Sequence, residues 1–317
     1  MVLLINDLSL HGQFSDVSSF REAVMRIMEM RNIAGRFGRE LNCNRNVANA
    51  CAIHGQTVLQ AVQHLPQSER RLVLSWLTKS GPFWEDDRTH SQDDYLESDG
   101  AIVTDTAVGE AAYSGFHGLD RRVVSFVPSK WTFSPISVSW VREDRYSVDI
   151  DVINFFGSDQ LRVALDAAPA PISSWQQLCD MAMKRFTHLR IAKDAFHPLR
   201  GHPFVHGAAD RIMVLLDTLA RIRGGMDEKG QLNRVGERLY QDHFVGNKAW
   251  FTDSSDAEKK KFEAELNFRH PDKRGQALSC TWHGKVKWPQ IRVHFSWPVP
   301  VNDSLYVVYI GPKITKR

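Results

Sequence analysis

The sequence is poor in cysteine, and its four cysteines (Cys43, Cys51, Cys179 and Cys280) stand far apart. No two of them form a Cys-x-x-Cys pair, the spacing that many zinc sites and redox-active dithiols use. Scattered cysteines are typical of free, mostly buried thiols in a reducing compartment. The cysteine pattern therefore predicts a cytoplasmic protein.

Long hydrophobic runs are also missing. No stretch approaches the roughly 18 apolar residues that are needed to cross a bilayer. The apolar start at Met1–Ile5 is followed at once by Asn6 and Asp7, and it has neither a basic segment nor a small-residue cleavage site. It therefore predicts a strand rather than a signal peptide, and we expect no membrane partner.

Several enzyme signatures are absent. There is no phosphate-binding P-loop, no GxGxxG, HExxH or GxSxG motif and no kinase signature. Gly224-Gly225 follows a predicted helix rather than a strand, so it indicates a helix end and not a phosphate loop. Cys280 and His283 stand three apart on a predicted strand and face opposite sides, which argues against zinc. We expect no metal and no cofactor.

What the sequence does contain is enough apolar material for real cores. It has 317 residues, of which 43% are hydrophobic and 24% charged, as in ordinary globular proteins. The length favours about two domains. The segment from Pro169 to Pro171 is typical of a linker, so we predict domains at residues 1–168 and 169–317.

The hydrophobic periodicity predicts an α+β protein. We expect a helical N-terminal part, a central antiparallel β section, a helical middle and a basic C-terminal antiparallel sheet module at residues 251–317. The individual predictions are a strand at Val2–Leu10; helices at Ser18–Met30, Asn46–His64, after Pro66, Thr104–Tyr113, after Ser173 or Ser174, Ala208–Ile222, Arg234–Phe244 and Ser255–Asn267; an acidic loop at Glu85–Asp99; strands at Arg122–Val127, Ile136–Arg142 and Tyr146–Phe155; and strands at Ala277–His283, Gln290–Trp297 and Ser304–Ile310.

The positive charge is unevenly spread. Residues 259–317 hold twelve Lys or Arg against four Asp or Glu, a local charge of +8. The rest of the chain holds 28 bases and 33 acids, a charge of −5. A basic segment on an acidic body favours either a surface for polyanions or a dock for an acidic partner.

The C-terminal strands bring the candidate catalytic residues together. Arg292 and His294 alternate with apolar residues, so both lie on one face of their strand. His283 ends the preceding strand and Lys313 follows the last. Cations can hold a phosphate, and histidine can move a proton near neutral pH. Further candidates for nucleic-acid binding are the cations Lys273, Arg274, Lys285, Lys287, Lys316 and Arg317, with Trp282, Trp288 and Trp297 as stacking surfaces for bases.

The order of these pieces resembles a known family. A helix at Glu258–Leu266, a middle strand at Ile291–Phe295 carrying Arg292, and a last strand at Tyr306–Ile310 resemble the C-terminal part of RelE-like bacterial toxins. These are small α+β ribonucleases that cut messenger RNA, mostly on the ribosome. The matching stretch, residues 259–317, is under a fifth of the chain. The resemblance implies a bacterial toxin or anti-phage defence protein that cleaves RNA without a metal.

Two functions follow as hypotheses. The first is a bacterial protein that acts on nucleic acid, with RNA favoured, through the basic sheet, where Arg292 and Lys313 stabilise phosphate and His294 or His283 transfers a proton. The alternative is a non-catalytic subunit that binds nucleic acid or docks on an acidic protein through the same surface. The sequence leaves the oligomeric state open.

Overall fold

The computed structural model describes residues 1–141, 147–227, 229–246, 249–287, 289–301 and 303–315. The chain divides into two compact units, Met1–Pro171 and Ile172–Arg317. Each unit combines helices with β-sheet, so the predicted α+β class is confirmed. Within the described residues, no helix has both the length and the apolarity that a membrane crossing requires.

The first unit mixes short strands with five helices among the residues described. Its elements in chain order are β1 (Val2–Ile5), α1 (Val17–Arg36), β2 (Leu41–Asn42), β3 (Cys51–Ile53), β4 (Gln56–Thr57), α2 (Val58–Gln63), α3 (Gln67–Ser75), β5 (Tyr95–Ser98), β6 (Ala101–Ile102), α4 (Ala107–Phe116), β7 (Arg121–Val124), β8 (Ile136–Val141), β9 (Ser147–Val152), β10 (Asn154–Phe155) and α5 (Ser158–Ala167).

A parallel sheet of four strands, in the order β10-β7-β1-β2, forms the centre of this unit. Helix α1 begins where the Asp16 carboxylate accepts a hydrogen bond from the Ser19 backbone, a capping box that satisfies free N–H groups. Its apolar residues recur every three or four positions and pack with Leu3 and Ile5 in one buried core. Helix α5 packs against α1 on the same face.

Helix α4 lies between two sheets. One face contacts the parallel sheet, and the other contacts the antiparallel sheet of order β6-β5-β8-β9. Gly109 and Gly115 allow these close approaches, because a Cβ at Gly109 would lie 2.3 Å from the Val103 carbonyl oxygen and one at Gly115 2.5 Å from Ile150 Cδ1. The helix is buried along most of its length.

The second unit carries the basic segment. Its elements in chain order are α6 (Trp175–Arg185), β11 (Arg190–Ile191), α7 (His206–Gly224), α8 (Arg234–Phe244), β12 (Phe251–Asp253), α9 (Asp256–Lys261), α10 (Glu263–Leu266), β13 (Asn267–Arg269), β14 (Ala277–Ser279), β15 (Trp282–Val286), β16 (Ile291–Phe295) and β17 (Tyr306–Pro312).

A five-stranded sheet of order β11-β17-β16-β15-β12 organises the second unit. One face packs on α7 and α8, where Phe251 and Phe295 stack edge to face at 5.4 Å between ring centroids. The segment from α9 to β14 lies on the other face, where Phe268 packs beside Tyr309 and Cys280. Val308 is an extra residue in β17, since Phe295 pairs with Val307 and His294 with Tyr309.

The predicted elements differ from the observed ones in identifiable places. The predicted helix Asn46–His64 is wrong, because that stretch forms a short 3-10 turn, the β3–β4 hairpin and only then α2. Arg122–Val127 was expected among antiparallel strands, but β7 pairs in parallel with β1 and β10. The predicted acidic loop Glu85–Asp99 contains β5. Residues 142–146, between β8 and β9, lie outside the described residues.

Candidate anion-binding site

Three antiparallel strands of the second unit present a row of polar residues on one face. His283 of β15 pairs with His294 of β16, and Lys285 pairs with Arg292 two positions along. Directly paired residues point to the same side of an antiparallel sheet. The structure thus places His283, His294, Lys285 and Arg292 on one sheet face, and we call them, with Lys313, the cationic face.

Two cations oppose each other directly on this face. Lys285 and Arg292 are register partners, a position in which like charges destabilise a sheet. Burial, and then Arg292 and Lys313, lower the pKa of Lys285. Within the described part of the chain, the Lys285 ammonium forms no ion pair and no hydrogen bond. Among those described residues, no protein anion contacts Lys285 of this pair.

Arg292 is held in place by backbone atoms. Its Nη1 donates a hydrogen bond of 2.9 Å to the Ile291 carbonyl and one of 3.4 Å to the Val286 carbonyl. Its Nε is buried and has no hydrogen-bond partner among the described residues. Burial lowers the pKa of Arg292, partly offset by Glu258. The guanidinium is thus oriented by the protein but incompletely satisfied by it.

Gly311, the register partner of Arg292, lets Pro198 and the Tyr309 hydroxyl pack close to the backbone of β17. It pairs with Arg292 across β16 and β17, and a Cβ at Gly311 would lie 2.5 Å from Pro198 Cβ and 2.8 Å from the Tyr309 hydroxyl. That hydroxyl donates a 2.7 Å hydrogen bond to the Pro312 carbonyl.

One carboxylate contacts the cationic face. Glu258 of α9 lies 3.2 Å from Lys313 Nζ and accepts a 2.9 Å hydrogen bond from the Thr315 hydroxyl. Partial burial opposes ionisation of Glu258, but the hydrogen bonds from Thr315 and Lys313 outweigh it and lower its pKa to about 2. Glu258 is therefore ionised at neutral pH, and it neutralises Lys313 rather than Lys285.

The two histidines are buried and uncharged at neutral pH. Burial, together with His294, lowers the pKa of His283 to about 3, and burial lowers that of His294 to about 4. His294 Nδ1 lies 3.0 Å from the Cys280 carbonyl oxygen. Because a carbonyl only accepts, Nδ1 of neutral His294 carries the hydrogen and Nε2 is left as an acceptor. Their rings lie 5.2 Å apart.

The other predicted binding residues lie apart from this face. Trp282 and Trp297 are on the opposite side of the sheet, where both pack against Phe244 at centroid distances of 5.6 and 5.0 Å. Lys273 lies in the turn after β13, where its Nζ is 3.5 Å from Asp303 Oδ2. Arg274 and Lys287 are exposed in turns, whereas Trp288, Lys316 and Arg317 fall outside the described residues.

No protein-family model, curated protein or solved structure matches this chain. The RelE-like resemblance of residues 259–317 therefore stays a prediction. Among the residues that the structure describes, no group of three or more His, Cys, Asp or Glu side chains is placed to hold a metal ion.

Sequence reasoning missed the role of Glu258. The pattern Ser255-x-x-Glu258 predicts a helix start, and the structure has this capping box. Nothing in the local sequence indicates that the second oxygen of Glu258 reaches Lys313 and Thr315, which are more than fifty positions away. Only the fold brings these residues together.

The first unit contains a second group of charged residues that the sequence did not indicate. Glu110 of α4 is fully buried and lies 2.6 Å from Arg121 Nη1, 2.5 Å from His90 Nδ1 and 2.8 Å from the Thr89 hydroxyl. Burial opposes ionisation of Glu110, but Arg121 and His90 keep its pKa below the ordinary value. This network ties α4 to β7 and to the chain before β5.

At the end of β1, Asp7 accepts a 2.8 Å hydrogen bond from the Ala107 backbone at the start of α4. Burial raises the pKa of Asp7 to about 6. This carboxylate lies at the carboxyl edge of the parallel sheet. It fixes the N-terminus of α4 against β1, and so contributes to the same packing as Glu110.

Proposed function

We propose that the second unit binds RNA through its cationic face, with Lys285, Arg292 and Lys313 contacting backbone phosphate. The observation that carries this proposal is the direct pairing of Lys285 with Arg292, with no carboxylate on Lys285 among the residues that the structure describes. A protein gains no stability from two half-buried cations side by side. An anionic ligand offsets that repulsion.

Phosphate suits this arrangement chemically. Arginine presents a planar set of N–H donors that matches a phosphate, and lysine adds a mobile point charge. The local charge of +8 over residues 259–317 attracts a polyanion from a distance. RNA is favoured over duplex DNA because the resemblance of this segment to RelE-like toxins implies an RNA substrate.

RNA cleavage is the second candidate. His283 and His294 lie beside the cations, and His294 Nε2 is available as a proton acceptor. Against this role, pKa values of about 3 and about 4 make both rings weak bases at neutral pH. These values favour binding over catalysis.

Fluorescence anisotropy with a labelled single-stranded RNA tests the binding proposal. Arg292→Ala should weaken binding by about tenfold or more, the effect of one lost charge-assisted hydrogen bond. Lys184→Ala is the matched control, because it removes an exposed cation from α6 and leaves the cationic face intact. Equal affinities for wild type and Arg292→Ala would rule out the proposed surface.

The same RNA on a denaturing gel, with and without Mg²⁺, tests cleavage. Cleavage that disappears in His294→Gln, with wild-type binding and melting temperature, would support a ribonuclease. Binding without cleavage would leave a binding module. If single-stranded RNA, single-stranded DNA and duplex DNA all fail to bind, docking on an acidic protein becomes the leading function.

A further inference from the structure

The charge balance of the cationic face indicates which phosphate it takes. Three cations, Lys285, Arg292 and Lys313, share the face with one carboxylate, Glu258. The two histidines are neutral there, and burial raises the pKa of Tyr309, so it too is uncharged. The net local charge of the described groups is therefore +2.

A phosphate monoester matches this charge better than a phosphodiester. A monoester carries about −1.5 to −2 at pH 7, whereas each phosphodiester linkage inside an RNA strand carries a single charge. The dianion would neutralise the cationic face almost completely. An internal phosphodiester would leave one of the half-buried cations without a counter-charge.

The partial burial of these side chains also favours a phosphate monoester. The side chains of Lys313 and Glu258 are only 28% and 30% exposed, and Arg292 Nε is buried. An internal phosphodiester brings a sugar on each side, and both would have to approach these partly buried side chains. A terminal phosphate has one ester substituent and can enter with its three free oxygens first.

We propose that the cationic face binds a phosphate monoester, specifically the terminal phosphate of an RNA strand. This inference rests on the proposed RNA-binding function and narrows its ligand. Lys285 and Arg292 contact the free oxygens, and Lys313 contacts them in competition with Glu258. Glu258 thereby limits the affinity of the cationic face for the phosphate.

The proposal has two signatures in binding measurements on the full chain. A short RNA with a 5′-phosphate or a 3′-phosphate should bind about tenfold or more tightly than the same RNA with hydroxyl ends, and Arg292→Ala should abolish this difference. Glu258→Gln should increase affinity for the phosphorylated RNA. Glutamine keeps the capping box of α9, so this variant tests charge rather than folding.

Separate arms distinguish the possible outcomes. Tighter binding of phosphorylated RNA, with inorganic phosphate and adenosine monophosphate competing only at far higher concentrations, supports a strand end as the ligand. Equal competition by adenosine monophosphate would overturn the strand-end assignment in favour of a free mononucleotide. Equal binding of all RNAs, weakened by Arg292→Ala, would overturn the inference but leave RNA binding standing. No RNA binding at all would overturn both.

Discussion

At the scale of single residues, the cationic face depends on the opposition of Lys285 and Arg292. The Cα atoms of directly paired residues are about 5 Å apart, and like charges on such a pair destabilise a sheet. Burial weakens their hydration, as the lowered pKa values of both groups indicate. The free protein therefore carries a repulsion that the proposed phosphate ligand would relieve.

Removing this repulsion should stabilise the free protein while it weakens binding. Lys285→Thr, which suits a strand, should raise the free energy of unfolding by a few tenths of a kcal/mol to about 1 kcal/mol. Urea denaturation measures this change. Lys287→Thr, at an exposed position two residues on, is the control and should have little effect. A destabilised Lys285→Thr protein would contradict the account.

The buried histidines should make the free energy of unfolding decrease as the pH is lowered. The pKa values in the folded protein, about 3 for His283 and about 4 for His294, lie below the ordinary value of 6.5. Between these folded values and 6.5, the unfolded chain therefore binds more protons than the folded chain. The stability is fully present above pH 6.5 and is lost as pH falls towards 3. Each histidine contributes at most about 1.4 kcal/mol per pH unit in this window.

A variant that lacks His283 isolates the contribution of this histidine. Urea unfolding of wild type and His283→Asn, measured from pH 7.5 to 4.5, should give a shallower pH dependence for the variant. His11→Asn, at an exposed position of the first unit, is the control. Identical slopes for wild type and His283→Asn would show that His283 titrates normally in the folded protein.

At the scale of elements, helix α4 is held by a buried charged network rather than by apolar packing alone. Glu110 contacts Arg121 of β7 and His90 before β5, so one carboxylate links three segments. Such networks cost desolvation when they form. They are also hard to break, because the remaining partner stays buried and charged.

Glu110→Gln should destabilise the first unit strongly. The amide cannot neutralise Arg121, so we expect a loss of about 3–5 kcal/mol in the free energy of unfolding. Glu69→Gln breaks the exposed pair with Arg21 and should shift the urea midpoint far less. Similar small shifts for both variants would mean that the Glu110 network contributes little.

Periodic elements could be predicted, and short irregular ones could not. The observed α8 spans Arg234–Phe244, as predicted, because its apolar residues recur at helical spacing. The prediction of one helix over Asn46–His64 was wrong because local hydrogen bonds stabilise other structures there. Asn44 caps a 3-10 turn, and Gly55, at φ +76°, turns the β3–β4 hairpin before α2 begins.

At the scale of the whole molecule, the excess positive charge lies in residues 259–317 of the second unit. Strand alternation in the sequence predicts that Arg292 and His294 lie on one face of their strand. In the structure, the pairing of β15 with β16 adds His283 and Lys285 to that face. Alternation could not reveal that the histidines are buried, since burial depends on the segment from α9 to β14 that covers them. Nor could it find Glu258, whose partners are distant in sequence.

The salt dependence of RNA affinity tests the central claim most directly. Each phosphate that a cation neutralises on a single strand contributes about −0.7 to the slope of log affinity against log salt concentration. If Lys285 and Arg292 both contact phosphate, the double variant Lys285→Ala/Arg292→Ala should bind more weakly with a slope shallower by about 1.4. Lys184→Ala should keep the wild-type slope. Parallel lines for wild type and the double variant would show that these two cations do not bind RNA phosphate.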